Sequence, residues 1–116
     1  MTRFIEAGNE QRPARMSFRV LKKILHTVGL SSLSDLARFA DATKFDQIPE
    51  VCFHAFRAGA EAEGQKVDFT IKVVEDWVDE DFSIWMDVQA LIADEMISTA
   101  EKQQGKKKQR ETASVG

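Results

Sequence analysis

The sequence predicts a mainly α-helical fold: a small helical domain of about five helices, a short N-terminal β-hairpin before it and a disordered tail after it. Three observations carry this. Apolar residues recur at helical offsets through most of the chain. Good N-cap residues and helix-ending glycines bracket those stretches. At 116 residues, the chain suffices for one hydrophobic core and not for two ordinary domains. The expected divisions are an N-terminal segment at 1–16, a helical domain at 17–101 and a basic tail at 102–116.

Residues 1–16 lack a helical period. Arg3 to Ala7 reads as a short strand, Gly8-Asn9 as a turn, and residues 11–16 as a returning strand in which Pro13 fits only at an edge. Such a hairpin needs helices to pack on. The first helix follows Ser17 as N-cap, with Phe18, Leu21, Ile24, Leu25 and Val28 on one stripe and Gly29 ending it. The second starts at Ser31 or Ser32, where Ser32 and Asp35 resemble a capping box. Its expected inner face is Leu33, Leu36, Ala37, Phe39 and Ala40. The third begins near Asp46 with Pro49 in its first turn and ends at Gly64. Its small run Ala58-Gly59-Ala60 invites close approach by another helix. Asp68 or Thr70 caps the fourth, whose buried face is Ile71, Val74, Trp77 and Val78. The fifth runs from about Phe82 to Ala100 on a broad face of Phe82, Trp85, Met86, Val88, Ile92 and Met96, widened by Leu91 and Ile97. Beyond Lys102 the composition cannot bury enough apolar area to offset chain entropy, so disorder is expected.

Charge and composition exclude several classes. No apolar run approaches the roughly 20 residues of a membrane span, and the first ten residues have no apolar core of a secretion signal, so the expected compartment is the cytoplasm. A net charge of −3 argues against a general nucleic-acid binder. The charge is nevertheless uneven. Arg3, Arg12, Arg15, Arg19, Lys22 and Lys23 dominate the N-terminal part, and no cation lies between Val73 and Glu101. Alternating fields of this kind suit head-to-tail self-association into a homo-oligomer, or an oppositely charged partner; solvated helix faces are the commoner meaning.

Catalytic, metal and cofactor constellations are not expected. Cys52, the single cysteine, reads as a small buried hydrophobe, and His54 as a hydrogen-bonded structural histidine. Two positions apart on a helix, they point away from each other. Asp79-Glu80-Asp81 lacks the glycine and the alternating oxygen ligands of a calcium loop and caps the next helix more simply. No phosphate loop is present. A helix-turn-helix built on the first two helices would offer Ser34, Asp35, Arg38 and Asp41 to a groove, poor material for an acidic polymer. Eight phenylalanines, two tryptophans and four methionines are instead ample anchors for a protein partner.

Several stretches resemble the small tail assembly chaperones of long-tailed (siphovirus-type) phages. They are Arg15 to Ile24, Gly29 to Leu36, Ile48-Pro49-Glu50-Val51 with His54 to Ala60, and Thr70 to Asp79. The likeness covers about residues 12–98. It implies a non-enzymatic factor that keeps the tape measure protein soluble and recruits tail tube subunits. Such a factor acts in the host cytoplasm, from phage or prophage, and is absent from the mature virion. It needs no cofactor and no membrane. The family commonly opens with a short β segment and often has a longer frameshifted form. An A-rich stretch encoding Lys106-Lys107-Lys108 would suit such a slip. On this reading the partner-binding residues are Arg19, Lys22 and Lys23, with Lys106, Lys107 and Lys108 of the tail. The competing readings are a small helix-turn-helix DNA-associated regulator and a virion tail-completion or adaptor protein.

Overall fold

The computed structural model describes the backbone of residues 2–115 and the side chains of residues 2–101 apart from Leu33, Leu36 and Ala100. The chain runs β1 (Thr2–Ala7), β2 (Glu10–Arg15), α1 (Phe18–Thr27), a 3₁₀ segment (Leu33–Arg38), α2 (Phe39–Ala42), a 3₁₀ turn (Phe45–Gln47), α3 (Ile48–Ala62), α4 (Ile71–Glu80) and α5 (Ser83–Val115). The fold is thus mainly helical with an N-terminal antiparallel hairpin. The backbone of α5 continues through the segment expected to be a tail. The side chains of 102–116 lie outside the described residues, and so does the expectation of disorder there.

The hairpin closes through Gly8 (φ 61°) and Asn9 (φ 64°), the two left-handed residues of a type I′ turn. Its register pairs Ala7 with Glu10 and Phe4 with Pro13. Hydrogen-bonded and non-hydrogen-bonded pairs alternate outward from the turn, which puts Pro13 in a pair that needs no amide donor. Ile5, Ala7 and Ala14 share one face and are buried in the core.

Helix α3 is the centre of the molecule and packs against β2, α1, α4 and α5. The element that uses its small residues is a strand, not the helix expected. Gly59 lies so close to β2 that a Cβ there would fall on the Pro13 carbonyl and 2.7 Å from Ala14 N. An aromatic cluster lies on the α4 side. Trp77 packs edge-on to Phe56 with centroids 5.6 Å apart and tilted against Phe69 at 5.4 Å. The Arg12 guanidinium lies 4.3 Å from the Trp77 ring centroid, within cation–π range. It also pairs with Asp68 (3.5 Å), and its Nε donates to Ala7 O at 3.1 Å. Arg12 therefore ties the hairpin to the loop before α4 and to α4 itself.

Local capping follows the sequence. Ser17 Oγ accepts from the Val20 amide at 3.4 Å. Past α1, Gly29 (φ 83°) turns the chain so that the Leu30 amide donates to Leu25 O at 2.8 Å, the wide bond of a Schellman motif. Thr70, rather than Asp68, caps α4 by accepting from Val73 N at 3.3 Å. Asp81 Oδ1 accepts from Ser83 N (3.0 Å) and Ser83 Oγ (2.6 Å) at the start of α5. The acidic cluster thus supplies a helix cap.

Several expectations need correction. The second helix is a 3₁₀ segment followed by only four α-helical residues; at its start Asp35 Oδ2 accepts from the Ser31 amide, the Ser32 amide and Ser32 Oγ at 3.0–3.3 Å, the side-chain half of the expected capping box. Of its expected inner face Phe39 is buried, whereas Ala37 and Ala40 are exposed. Phe18, Ile71, Phe82, Met86 and Ile97 are exposed rather than inward-facing. Phe18, Ile71 and Phe82 sit at helix starts, where the partner surface has not yet begun. Ile84 takes a buried place in α5 that the expected face omitted.

Candidate functional site

One concavity runs along α1 and the turn that follows it. Leu21 and Leu25 are buried at its floor, and the Schellman turn folds the buried Leu30 back beside them. Phe18 stays 61% exposed at the N-terminal end. These four side chains form an open groove of about 510 Å³, edged by Arg19, Lys22, Lys23 and His26. The far wall is the Ser31-Ser32 loop fixed by Asp35. The hydrogen bond from the Ser31 amide, followed by that from the Ser32 side chain, holds the Asp35 carboxyl below the usual range, so the loop stays pinned wherever that group is ionised.

All three α1 cations expected to bind a partner therefore edge one groove. Lys106, Lys107 and Lys108 lie outside the described side chains. Sequence periodicity could not reveal the groove, because Leu30 joins it only through the turn after α1.

A second concavity, of about 500 Å³, lies between α1 and α3 and shares Arg19 and Lys23 with the first. Arg15 and Arg57 complete a set of four cations, against Glu61, which pairs with Arg57 at 3.0 Å. His54 stands on its wall, half-buried. Thr27 Oγ1 donates to Lys23 O at 3.0 Å, so it accepts from His54 Nε2–H at 3.3 Å. Burial lowers the His54 pKa, Lys23 and Arg57 lower it further, and Glu50 opposes them. His54 is the hydrogen-bonded structural histidine expected.

A third surface is an apolar patch formed by Phe45, 85% exposed, and Phe82 beside Ile48 and Val78. Glu75 and Asp79 edge it, so its charge is opposite to that of the α1 groove. Phe45 lies between Lys44 and Asp46 in a short connection, where no periodicity marks it.

Cys52 is fully buried, and burial pushes its thiol pKa up to about 12. The thiolate is the reactive form, so the folded protein should resist alkylation at mildly alkaline pH. Labelling should proceed only at the rate of global opening and become immediate in denaturant. Fast labelling of the folded chain would show that the thiol is accessible. Among the described residues, no three His, Cys, Asp or Glu side chains converge to hold a metal ion, and no helix is long and apolar enough to cross a membrane. The segment that a helix-turn-helix would use for groove reading is the 3₁₀ segment with the four-residue α2.

Together these features define a small helical protein with two oppositely charged apolar surfaces. The chain matches no family model, no curated protein and no solved structure.

Proposed function

We propose that the chain is a non-enzymatic tail assembly chaperone of long-tailed phages. In this reading it covers amphipathic helical segments of the tape measure protein and helps recruit tail tube subunits. The α1 groove carries the reading. Phe18 stands exposed over a floor of buried Leu21, Leu25 and Leu30, and Arg19, Lys22, Lys23 and His26 edge the concavity. A large ring left exposed above an apolar floor, as Phe18 is, adds little to the stability of a small domain and suits a partner. A client helix laid along the groove covers it, its apolar stripe meeting the leucines. The acid-edged patch at Phe45 and Phe82 provides a second contact, for a tube subunit or a further copy of the chain. Modest affinity at each contact, multiplied over many copies, lets the client be handed on. A short hairpin followed by α-helices at three of the four motif stretches, all but Gly29 to Leu36, also supports the reading.

The test is co-expression with the tape measure protein of the same genome. The wild-type chain should keep that client soluble. The triple variant Arg19→Glu, Lys22→Glu, Lys23→Glu, with unchanged helical content, should lower the soluble fraction several-fold. Unchanged solubility would remove the three residues from the site, and an insoluble client beside the wild type would end the reading. Purified particles should lack the chain; finding it there would favour a virion adaptor.

A further inference from the structure

The two concavities flanking α1 are used by the proposed function only in part. The apolar groove explains Phe18 and the leucines, but not the cationic cleft between α1 and α3. That cleft brings Arg15, Arg19, Lys23 and Arg57 together around a single carboxylate, Glu61, in a molecule whose net charge is −3. Among the described residues, Arg19 and Lys23 form no ion pair, and Arg15 makes only a long hydrogen bond to Thr2 Oγ1 at 3.5 Å. Four cations facing one concavity against one carboxylate leave it with an excess of positive charge, which favours an anionic occupant.

The chemistry of the lining selects among anions. The cleft has no glycine and no loop of converging amides of the kind that cradles phosphate. Val20 and Ala58 contribute methyl groups between the cations. Guanidinium forks with a few methyl groups among them suit carboxylate side chains carried on a chain that also presents aliphatic atoms. Arg19 and Lys23 line both concavities, so α1 is a shared ridge with an apolar groove on one side and a cationic cleft on the other.

We infer that the occupant is an amphipathic helix of a protein partner that carries a row of Asp or Glu beside its apolar stripe, with the stripe in the α1 groove and the carboxylates in the cleft between α1 and α3. The inference rests on the chaperone reading for the identity of that partner, and it adds the sequence rule by which client segments are chosen.

Three synthetic helices test it against the full chain. They share one leucine stripe and differ only in the flanking row, which is Glu, Gln or Lys. By fluorescence anisotropy at low salt, the Glu helix should bind about tenfold tighter than the Gln helix, a difference of about 1.4 kcal/mol. The Lys helix should bind most weakly, and added salt should shrink the Glu advantage. In Arg15→Gln/Arg57→Gln, which alters the cleft and leaves the groove residues in place, the Glu-to-Gln ratio should fall several-fold. The His54 imidazole should titrate higher with the Glu helix bound, since carboxylates offset the field of Lys23 and Arg57.

Equal binding of the three helices overturns the inference and leaves the chaperone reading standing. So does a Glu advantage that survives in the double variant, or tripolyphosphate binding as tightly as the Glu helix, which would make the cleft a phosphate site. Failure of all three helices to bind overturns it as well, and co-expression then decides whether the chaperone reading falls with it.

Discussion

Gly59→Ala should destabilise the protein by about 2 kcal/mol, although the residue lies in mid-helix. Helix propensity alone argues the other way, since alanine is favoured over glycine in a helix interior by about 1 kcal/mol. Packing decides the sign. The new methyl would collide with the Pro13 carbonyl and lie 2.7 Å from Ala14 N, and these are backbone atoms of β2 that cannot swing aside. Forcing a strand off a packed helix costs about 3 kcal/mol, which outweighs the propensity gain. Urea denaturation measures the difference. Gly64→Ala is the control: nothing lies within 4 Å of its Cβ position, and only its φ of 67° is strained, which costs about 1 kcal/mol. A neutral or stabilising Gly59→Ala would mean that β2 does not lie on α3.

Trp77→Ala should be the most damaging single truncation, at about 3–5 kcal/mol. The indole is buried between Phe56 and Phe69, sits beneath the hairpin turn at Gly8 and receives the Arg12 guanidinium on its face. Its loss opens a cavity and also removes the surface that positions Arg12, so the hairpin loses its link to α4. A domain of this size has about 5–15 kcal/mol in total, so the variant should melt far below the wild type by circular dichroism. Trp77→Phe should recover part of the loss by refilling the cavity. Near-wild-type melting of Trp77→Ala would contradict the aromatic cluster described above.

The elements legible in the sequence were those fixed by local chemistry. Ser17, Gly29, Thr70 and the Gly8-Asn9 turn act through bonds to residues only a few positions away, and each does in the fold what its type suggested. Relations between distant elements were not legible. Gly59 announced a close approach without saying that β2, more than forty residues earlier, would make it. Phe18 belongs to the α1 stripe by spacing, yet it lies beyond the end of the packed interface and stays exposed. The second helix is largely a 3₁₀ segment, although Asp35 caps its start as the sequence suggested. Charge made Arg19, Lys22 and Lys23 visible as a group. Their placement on the rim of an apolar groove depended on Leu30 returning past Leu25, which periodicity does not encode.

The central claim is that α1 and the turn after it receive a client helix. Amide hydrogen exchange of the chain, alone and saturated with the tape measure protein of its genome, tests this most directly. Exchange across residues 18–32 should slow on binding, with the amides of α4 unchanged. Protection confined to α4 and the Phe45–Phe82 patch, with residues 18–32 exchanging as in the free chain, would contradict it.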